Sequence, residues 1–527
     1  MYKFSKFLTI GFGAALLLTQ AACTNGGGDT GPGTTPPAAT GNEGGTTAGG
    51  SGTLDVVIGS LAVSMDPTVS NDSSSALVNT QIYSTLLGQD YNTMETYPRL
   101  ALNYEQVDAR TINIELRPGV YFHNGMQMTS RDVQVSLERA GASAAMDPLF
   151  GMIDRIETHD DYNLTIHLQF DFAPMLRHLA HPGGSIIPAA LVDAGHDFNE
   201  LPIGTGAFMF ESLVIDDNLV LVRNDNYWGD VAGVEKLVLR RVPDPGVRLI
   251  EASSGHAHIG SDVAVSDAAV AEADPNITLY RRQGISTNYI GFNTSMYPFD
   301  NVLVRQAISY ALDTDAIFNA VNFGVGQVGR GFMSPATWAF HENLDMFPHN
   351  LERARELMIE AGYPDGFTAE IWWNTETAAR RDMAEISQNM LRDLNINLEV
   401  VGMDWPTYLQ RTENAEQGMF VLGWTSLGGD ADYGLMPTFH TDFHGVPGNR
   451  SFLSDPILDD LLERGRGEMD ETTRFNIYLE AQERIRYLAP WVPISHGEVL
   501  MAVRPEVQGF ILNPAGHHRY SRVSLSN

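Results

Sequence analysis

The sequence uses cysteine once, at Cys23, directly behind a short apolar leader. Lys3 and Lys6 supply positive charge, Phe7 to Leu18 is mostly apolar, and the small residues Ala21 and Ala22 precede the cysteine. Those are the parts of a cleaved secretory signal, 1–22, whose apolar run is too short to stay in a bilayer as a spanning helix. Two acyl chains on the Cys23 thiol would anchor the chain to a membrane far better than one. Gln20 stands three residues before the cysteine, where bacterial lipoprotein signals usually carry Leu. With no second cysteine there is no intramolecular disulfide to give Cys23 a structural partner.

Imidazoles are the next residues with chemistry to offer. His440 and His444 are four apart, His256 and His258 flank Ala257, and His517 adjoins His518. Such pairs can ligate nickel or zinc, or steady a metal held by a small chelator. None has a second cluster beside it, so no metal and no cofactor is assigned, and His440 with His444 marks the alternative of a bound nickel ion or metal chelate. The 65 acidic residues raise the thought of a glycosidase, but no spacing singles out an acid and nucleophile pair. A Gly-x-Ser-x-Gly elbow, a His-Glu-x-x-His helix and a phosphate-binding glycine loop are all absent from the sequence. The expectation is therefore a protein that is not an enzyme.

Residues 23–53 carry no aromatic side chain and no apolar periodicity, so this Gly/Thr/Pro stretch cannot bury enough surface to offset its backbone entropy. It reads as a flexible tether of roughly 30 Å root-mean-square reach. From Leu54 onward the chain is long enough for two or three lobes. The formal net charge of −32, spread along the whole length, argues against nucleic acid or an anionic lipid surface as a partner. Lys3, Lys6 and Lys236 are the only lysines, and arginine carries the rest of the positive charge, a balance that alkaline or saline surroundings and genome composition explain equally well.

These residues must be positioned by elements that the patterning announces. Leu54 to Gly59 is a short apolar strand of the kind buried inside a mixed sheet. The stretch Ser74 to Leu87 reads as helical. Thr111 to Leu116 and Asn163 to Leu168 alternate polar and apolar residues, as half-buried strands do. Between them Thr129 caps a helix running through Val133, Val135 and Leu137. Strand and helix signals alternate to the C-terminus, which gives a mixed α/β chain.

Several segments in order resemble the family 5 extracellular solute-binding proteins, the peptide, nickel and glutathione receptors of ABC importers. They begin with Pro98-Arg-Leu-Ala-Leu-Asn-Tyr-Glu105, Leu116-Arg-Pro-Gly-Val-Tyr-Phe-His-Asn-Gly125 and Asp132-Val-Gln-Val-Ser-Leu-Glu-Arg139. They continue through Pro202-Ile-Gly-Thr-Gly-Ala-Phe208, Arg223-Asn-Asp-Asn-Tyr-Trp-Gly229, Gly291-Phe-Asn-Thr-Ser295 and Val304-Arg-Gln-Ala-Ile-Ser-Tyr-Ala-Leu-Asp313. Ala361-Gly-Tyr-Pro-Asp-Gly366 and Ala489-Pro-Trp-Val-Pro493 complete the set. The resemblance implies a two-lobed type II clamp of the periplasmic-binding-protein kind with an extra subdomain. Carried onto this chain, lobe I is 54–91 plus 202–290 plus 498–527, the extra subdomain is 92–201, and lobe II is 291–497.

The resemblance also implies a ligand site. Asn374 to Glu385 is similar to the stretch of dipeptide receptors in which an arginine grips the ligand carboxylate, which nominates Arg380 and Arg381. Arginine suits that task because its planar fork donates two parallel hydrogen bonds to a carboxylate. Gly423-Trp424-Thr425-Ser426-Leu427 matches a strand after which those receptors place an acid for the ligand ammonium. Leu427 occupies the acid's position, so Asp430 or Asp432 is expected to take the role, with Trp424 and Thr425 as walls. That segment and Asn449-Arg-Ser-Phe452 look closer to glutathione-type receptors. Backbone edges of Gly204, Thr205 and Gly206 are expected to pair with an extended ligand as an added strand. The whole describes a monomeric, lipid-anchored receptor on the outer face of the cell membrane, which captures short peptides or peptide-like solutes and hands them to an ABC permease. A signalling lipoprotein that keeps the clamp but transports nothing is a further alternative.

Overall fold

Leu54, Val56, Val57 and Ile58 are all buried, with Leu54, Val56 and Ile58 on one face of their strand in a shared apolar core. The computed structural model describes residues 52–526, apart from Ser70 and Glu376. The leader, Cys23 and the tether up to residue 51 lie outside the described residues, as does Asn527. Strand Thr53–Ile58 pairs in parallel with Lys236–Arg241 on one side and Ile259–Gly260 on the other, which removes both its edges from water. Among the described residues no helix is long and apolar enough to cross a membrane.

That strand belongs to an eleven-stranded sheet. In spatial order it runs Asn397–Met403, Thr368–Asn374, Met419–Thr425, Thr278–Phe292, Trp491–Val503, Ile259–Gly260, Thr53–Ile58, Lys236–Arg241, Asn218–Arg223 and Phe208–Val214. The short strand Gln327–Val328 pairs with Trp491–Val503 off this path. Two long antiparallel strands, Thr278–Phe292 and Trp491–Val503, tie the halves together. Their register shifts between Gln283 and Thr287, where Gly284 and Gly497 lie back to back. A Cβ on Gly284 would stand 3.0 Å from the Gly497 carbonyl, a tight contact that would push the two strands apart by a few tenths of an ångström, so the crossing is closest with glycine there.

Separate apolar cores sit on either side of this crossing. Leu54, Val56, Leu237 and Phe208 form one. Val304, Ile308, Ala384 and Ile396 fill one face of the far half of the sheet, and Tyr408, Phe439, Leu462 and Trp491 fill the other. Tyr289 stacks on Trp491 with ring centroids 3.5 Å apart.

A second, four-stranded antiparallel sheet is built from Ala101–Asp108, Thr111–Leu116, Asn163–Leu168 and Ile153–Thr158. The two alternating segments of the sequence are its inner pair, with Ile114 opposite Leu164 and Ile112 opposite Ile166, and their apolar faces are buried. Helix Ser130–Gly141 covers that face. Its start is fixed by Asp132, whose carboxylate accepts from the Thr129 backbone N–H at 2.7 Å and its hydroxyl at 3.0 Å.

One expected element ends early. The helix anticipated over Ser74 to Leu87 spans Ser73–Ile82, with Asp72 accepting from the Ser74 and Ser75 N–H groups at its start. The Ile82 carbonyl accepts a hydrogen bond of 2.8 Å from Gly206, more than a hundred residues onward, and the chain leaves Tyr83 extended. Leu87–Gln89 then forms a strand against Thr96–Pro98.

Candidate functional site

A cleft of about 480 Å³ opens where the loop Ser60 to Ser74 and Asp262 face the strand Met419–Thr425 and the helix that carries Arg380. That size suits a ligand of a few residues. Arg380 lies in the first turn of helix Ala378–Leu391, so its side chain lies over the end of strand Thr368–Asn374. Its Nη1 donates to Asn374 Oδ1 at 2.5 Å, and its guanidinium carbon stands 5.9 Å from the Trp405 ring centroid. Gly423 makes the room: a Cβ there would come within 2.8 Å of Asn288 Oδ1 and 3.4 Å of Arg380 Nη2.

Arg381, one residue on, points the other way. Its side chain is 57% exposed and its Nε donates to Glu385, one helical turn along, at 2.7 Å. The helix therefore separates the two arginines, and Arg380 is the one that lines the cleft.

Trp424 and Thr425 also line it, half-buried. The Trp424 indole N–H donates to the Tyr433 carbonyl at 3.0 Å, which fixes the ring as a wall. Gly448, at φ 150°, leaves space for the Trp424 ring, since a Cβ would meet it at 2.9 Å. Leu427 is 8% exposed and packs with Tyr433 into the core beneath the four-stranded sheet.

Asp430 and Asp432 are 2% and 1% exposed and are already engaged. Arg474 donates to both oxygens of Asp430, at 2.9 and 2.5 Å, and Arg177 lies 3.5 Å away. Burial alone would raise the Asp430 carboxyl, but Arg474 and Arg177 outweigh it and hold it below the ordinary value. Arg466 donates to both oxygens of Asp432 at 3.1 Å, the Tyr478 hydroxyl donates to it at 3.2 Å, and His178 stands 3.5 Å off. Arg466 also donates to the Pro148 carbonyl at 3.0 Å. This buried cluster fastens the segment after Trp424 to residues 148–178, and neither carboxylate lines the cleft.

Gly204, Thr205 and Gly206 lie outside the cleft lining, against the end of helix Ser73–Ile82. Gly204 accepts from the His123 N–H at 2.9 Å. The Thr205 carbonyl takes the Trp228 indole N–H at 3.1 Å, and the Gly206 carbonyl takes Asn224 Nδ2 at 3.1 Å. With these groups engaged internally, the segment offers a ligand little free backbone.

His440 and His444 are likewise occupied. His440 accepts from the Asp442 N–H at 3.1 Å and lies 3.4 Å from Glu463, while His444 Nε2 is 2.9 Å from the Leu453 carbonyl. Among the described residues no group of three or more His, Cys, Asp or Glu is placed to hold a metal ion.

The cleft also has residues that sequence reasoning passed over. Asp72 and Asp262 face it from the side opposite Arg380. Asp262 is exposed and held at φ 49°, with its backbone carbonyl accepting from Arg248 at 3.0 Å. Arg450, inside the Asn449-to-Phe452 motif, is 7% exposed, lines the cleft floor and donates to Glu413 at 2.9 Å.

Residues 95–445 match the family described as bacterial extracellular solute-binding proteins, family 5 Middle. The glutathione-binding protein GsiB of Pectobacterium atrosepticum is 30% identical over 473 residues, covering 87% of this chain and 91% of that protein. Among solved structures, the periplasmic binding protein DppA of Helicobacter pylori in complex with the peptide STSA superposes with a TM-score of 0.85. It is 27% identical and covers 90% of this chain and 98% of that one. A dipeptide-binding protein of Pseudoalteromonas sp. SM9913 in complex with Met-Leu gives 0.86 at 25% identity, over 90% and 100%. The fold is thus the type II clamp of periplasmic binding proteins, and the chain belongs to the family 5 extracellular solute-binding proteins.

Proposed function

We propose that this receptor captures short peptides or peptide-like solutes, glutathione-like ones included, with Arg380 as the anchor for the ligand carboxylate. Members of the family receive solutes outside the cytoplasm for ABC importers and are not enzymes as a class. The observation that carries the finer reading is the polarity of the cleft: a guanidinium on one wall faces the carboxylates Asp72 and Asp262 on the other. A zwitterion lying across it has each end near an opposite charge, inside a site where closure strengthens both attractions. Asp262 or Asp72 then meets the ammonium, while Asp430 and Asp432 brace the wall.

In this reading the lobes are the three-pass arrangement 54–91, 202–290 and 498–527, with 92–201 as the subdomain and 291–497 as lobe II. Closure bends the two long strands where the register slips, so the working border within the first of them lies at Gln283 to Thr287. A lipid on Cys23 and the tether behind it hold the monomeric receptor at the membrane within reach of its permease. Native mass spectrometry of the purified protein tests the ligand class. A retained mass matching a peptide or glutathione supports it; a retained metal chelate overturns it in favour of the metal-chelate receptor.

A further inference from the structure

Two motifs of the sequence, Pro98-Arg99 and Tyr227-Trp228-Gly229, play no part in the cleft and meet elsewhere. With the C-terminal segment Gly509 to Arg522 they enclose a separate cavity of about 310 Å³. Arg99, Arg519 and Arg522 all line it, and none is within ion-pair distance of a carboxylate of a described residue. In a chain with 65 acids against 33 bases, three neighbouring arginines left in this way are conspicuous, since Arg466 and Arg474 each hold a carboxylate with two hydrogen bonds.

Two of the arginines, Arg99 and Arg519, are held in place by rings. The Arg99 guanidinium carbon lies 5.8 Å from the Trp228 ring centroid and its Nη2 donates to the Tyr227 hydroxyl at 3.4 Å. Arg519 lies 6.0 Å over Tyr91 and donates from Nη1 to the Tyr97 hydroxyl at 3.2 Å. Arg519 Nε is buried and makes no hydrogen bond to a described residue, an arrangement that costs stability unless a ligand or water meets it. Asp90 and Asp230 also border the cavity. Asp90 accepts from the Asn92 and Thr93 N–H groups, and Asp230 is exposed. Burial would raise the Tyr97 phenol, but Arg519, Arg99 and Arg522 outweigh it and bring it below its ordinary value, so positive charge dominates here.

We propose that this cavity is a second binding site, for a small organic anion whose carboxylate meets Arg519, Arg99 and Arg522 while its planar body packs on Tyr91, Tyr97, Tyr227 and Trp228. Guanidinium forks recognise carboxylates, and aromatic faces recognise flat rings. The site is independent of Arg380 and of whatever fills the main cleft.

The test is calorimetric titration of the purified protein with 4-hydroxybenzoate, beside its neutral amide 4-hydroxybenzamide and inorganic phosphate. The expected result is one site that binds the carboxylate about tenfold tighter than the amide, the usual value of charge-assisted hydrogen bonds. Arg519→Ala should weaken it by about tenfold or more and Arg522→Gln by about threefold, whereas Arg380→Ala should leave it unchanged. Arg522 is exposed, so its variant keeps the test open if Arg519→Ala does not fold. The proposal is overturned if neither carboxylate nor amide binds, if phosphate binds as well as the carboxylate, or if Arg380→Ala abolishes binding that Arg522→Gln leaves intact.

Discussion

Arg474 grips Asp430 with both terminal nitrogens, at 2.9 and 2.5 Å, and the two side chains are 9% and 2% exposed. A pair so far from water has lost its hydration, so its attraction is matched by a desolvation cost, and removing one partner leaves the other charge buried alone. The pair therefore works as a brace for the wall behind Trp424, and its loss should be felt as stability before it is felt as affinity.

Asp430→Ala should lower the unfolding free energy by about 3–5 kcal/mol, measured by chemical denaturation. The same carboxylate sets an acid limit. Its native value lies below the ordinary 3.8, so the pair's stabilisation is complete above that pH and is lost as pH falls through the native value. A variant as stable as the parent at pH 7 would contradict the bracing role.

Buried histidines give a second pH dependence at milder acidity. Burial holds His178 and His517 at about 4 and His518 at about 3, against an ordinary 6.5. Below pH 6.5 the unfolded chain takes up protons that the native protein refuses, so stability falls as pH drops from 6.5 toward 4. Each such group removes up to about 1.4 kcal/mol per pH unit in that window. Thermal melts at pH 7.5, 6.0 and 5.0 should show a steady fall in midpoint, and a flat profile would contradict the neutral, buried assignment.

Gly206→Ala should destabilise without touching the cleft. Its new methyl would stand 2.3 Å from the Gln81 carbonyl and 2.4 Å from the Ile82 carbonyl carbon, so the helix end must shift. The expected loss is about 1–3 kcal/mol, as for other overpacked sites, with ligand affinity of the folded fraction unchanged. Weakened affinity at full stability would instead put this segment on the ligand.

The legible parts of this chain were those decided by near neighbours. Thr111 to Leu116 announced a half-buried strand because alternation is a property of the strand itself, and Thr129 marked the start of the helix that follows, where its backbone and hydroxyl meet Asp132 only three residues away. The stop at Ile82 was illegible, because the group that takes its carbonyl is Gly206. Asp430 and Asp432 looked like free acids for the same reason: Arg474 and Arg466 come from later helices. Arg380 and Arg381 looked equivalent as adjacent letters, and only the direction of the helix distinguishes the cleft from solvent. Asp262 carried no motif at all, and its place opposite Arg380 is a product of the fold.

Arg380 as the carboxylate anchor is the central claim, and titration of a dipeptide and its C-terminal amide into the parent protein, Arg380→Ala and Arg381→Ala tests it most directly. The account predicts that the parent prefers the free carboxylate by about tenfold or more, the worth of a charge-assisted hydrogen bond. It further predicts that Arg380→Ala abolishes that preference with its melting midpoint intact, and that Arg381→Ala, which loses only an exposed pair with Glu385, keeps it. An Arg380→Ala protein that still distinguishes acid from amide would contradict the account.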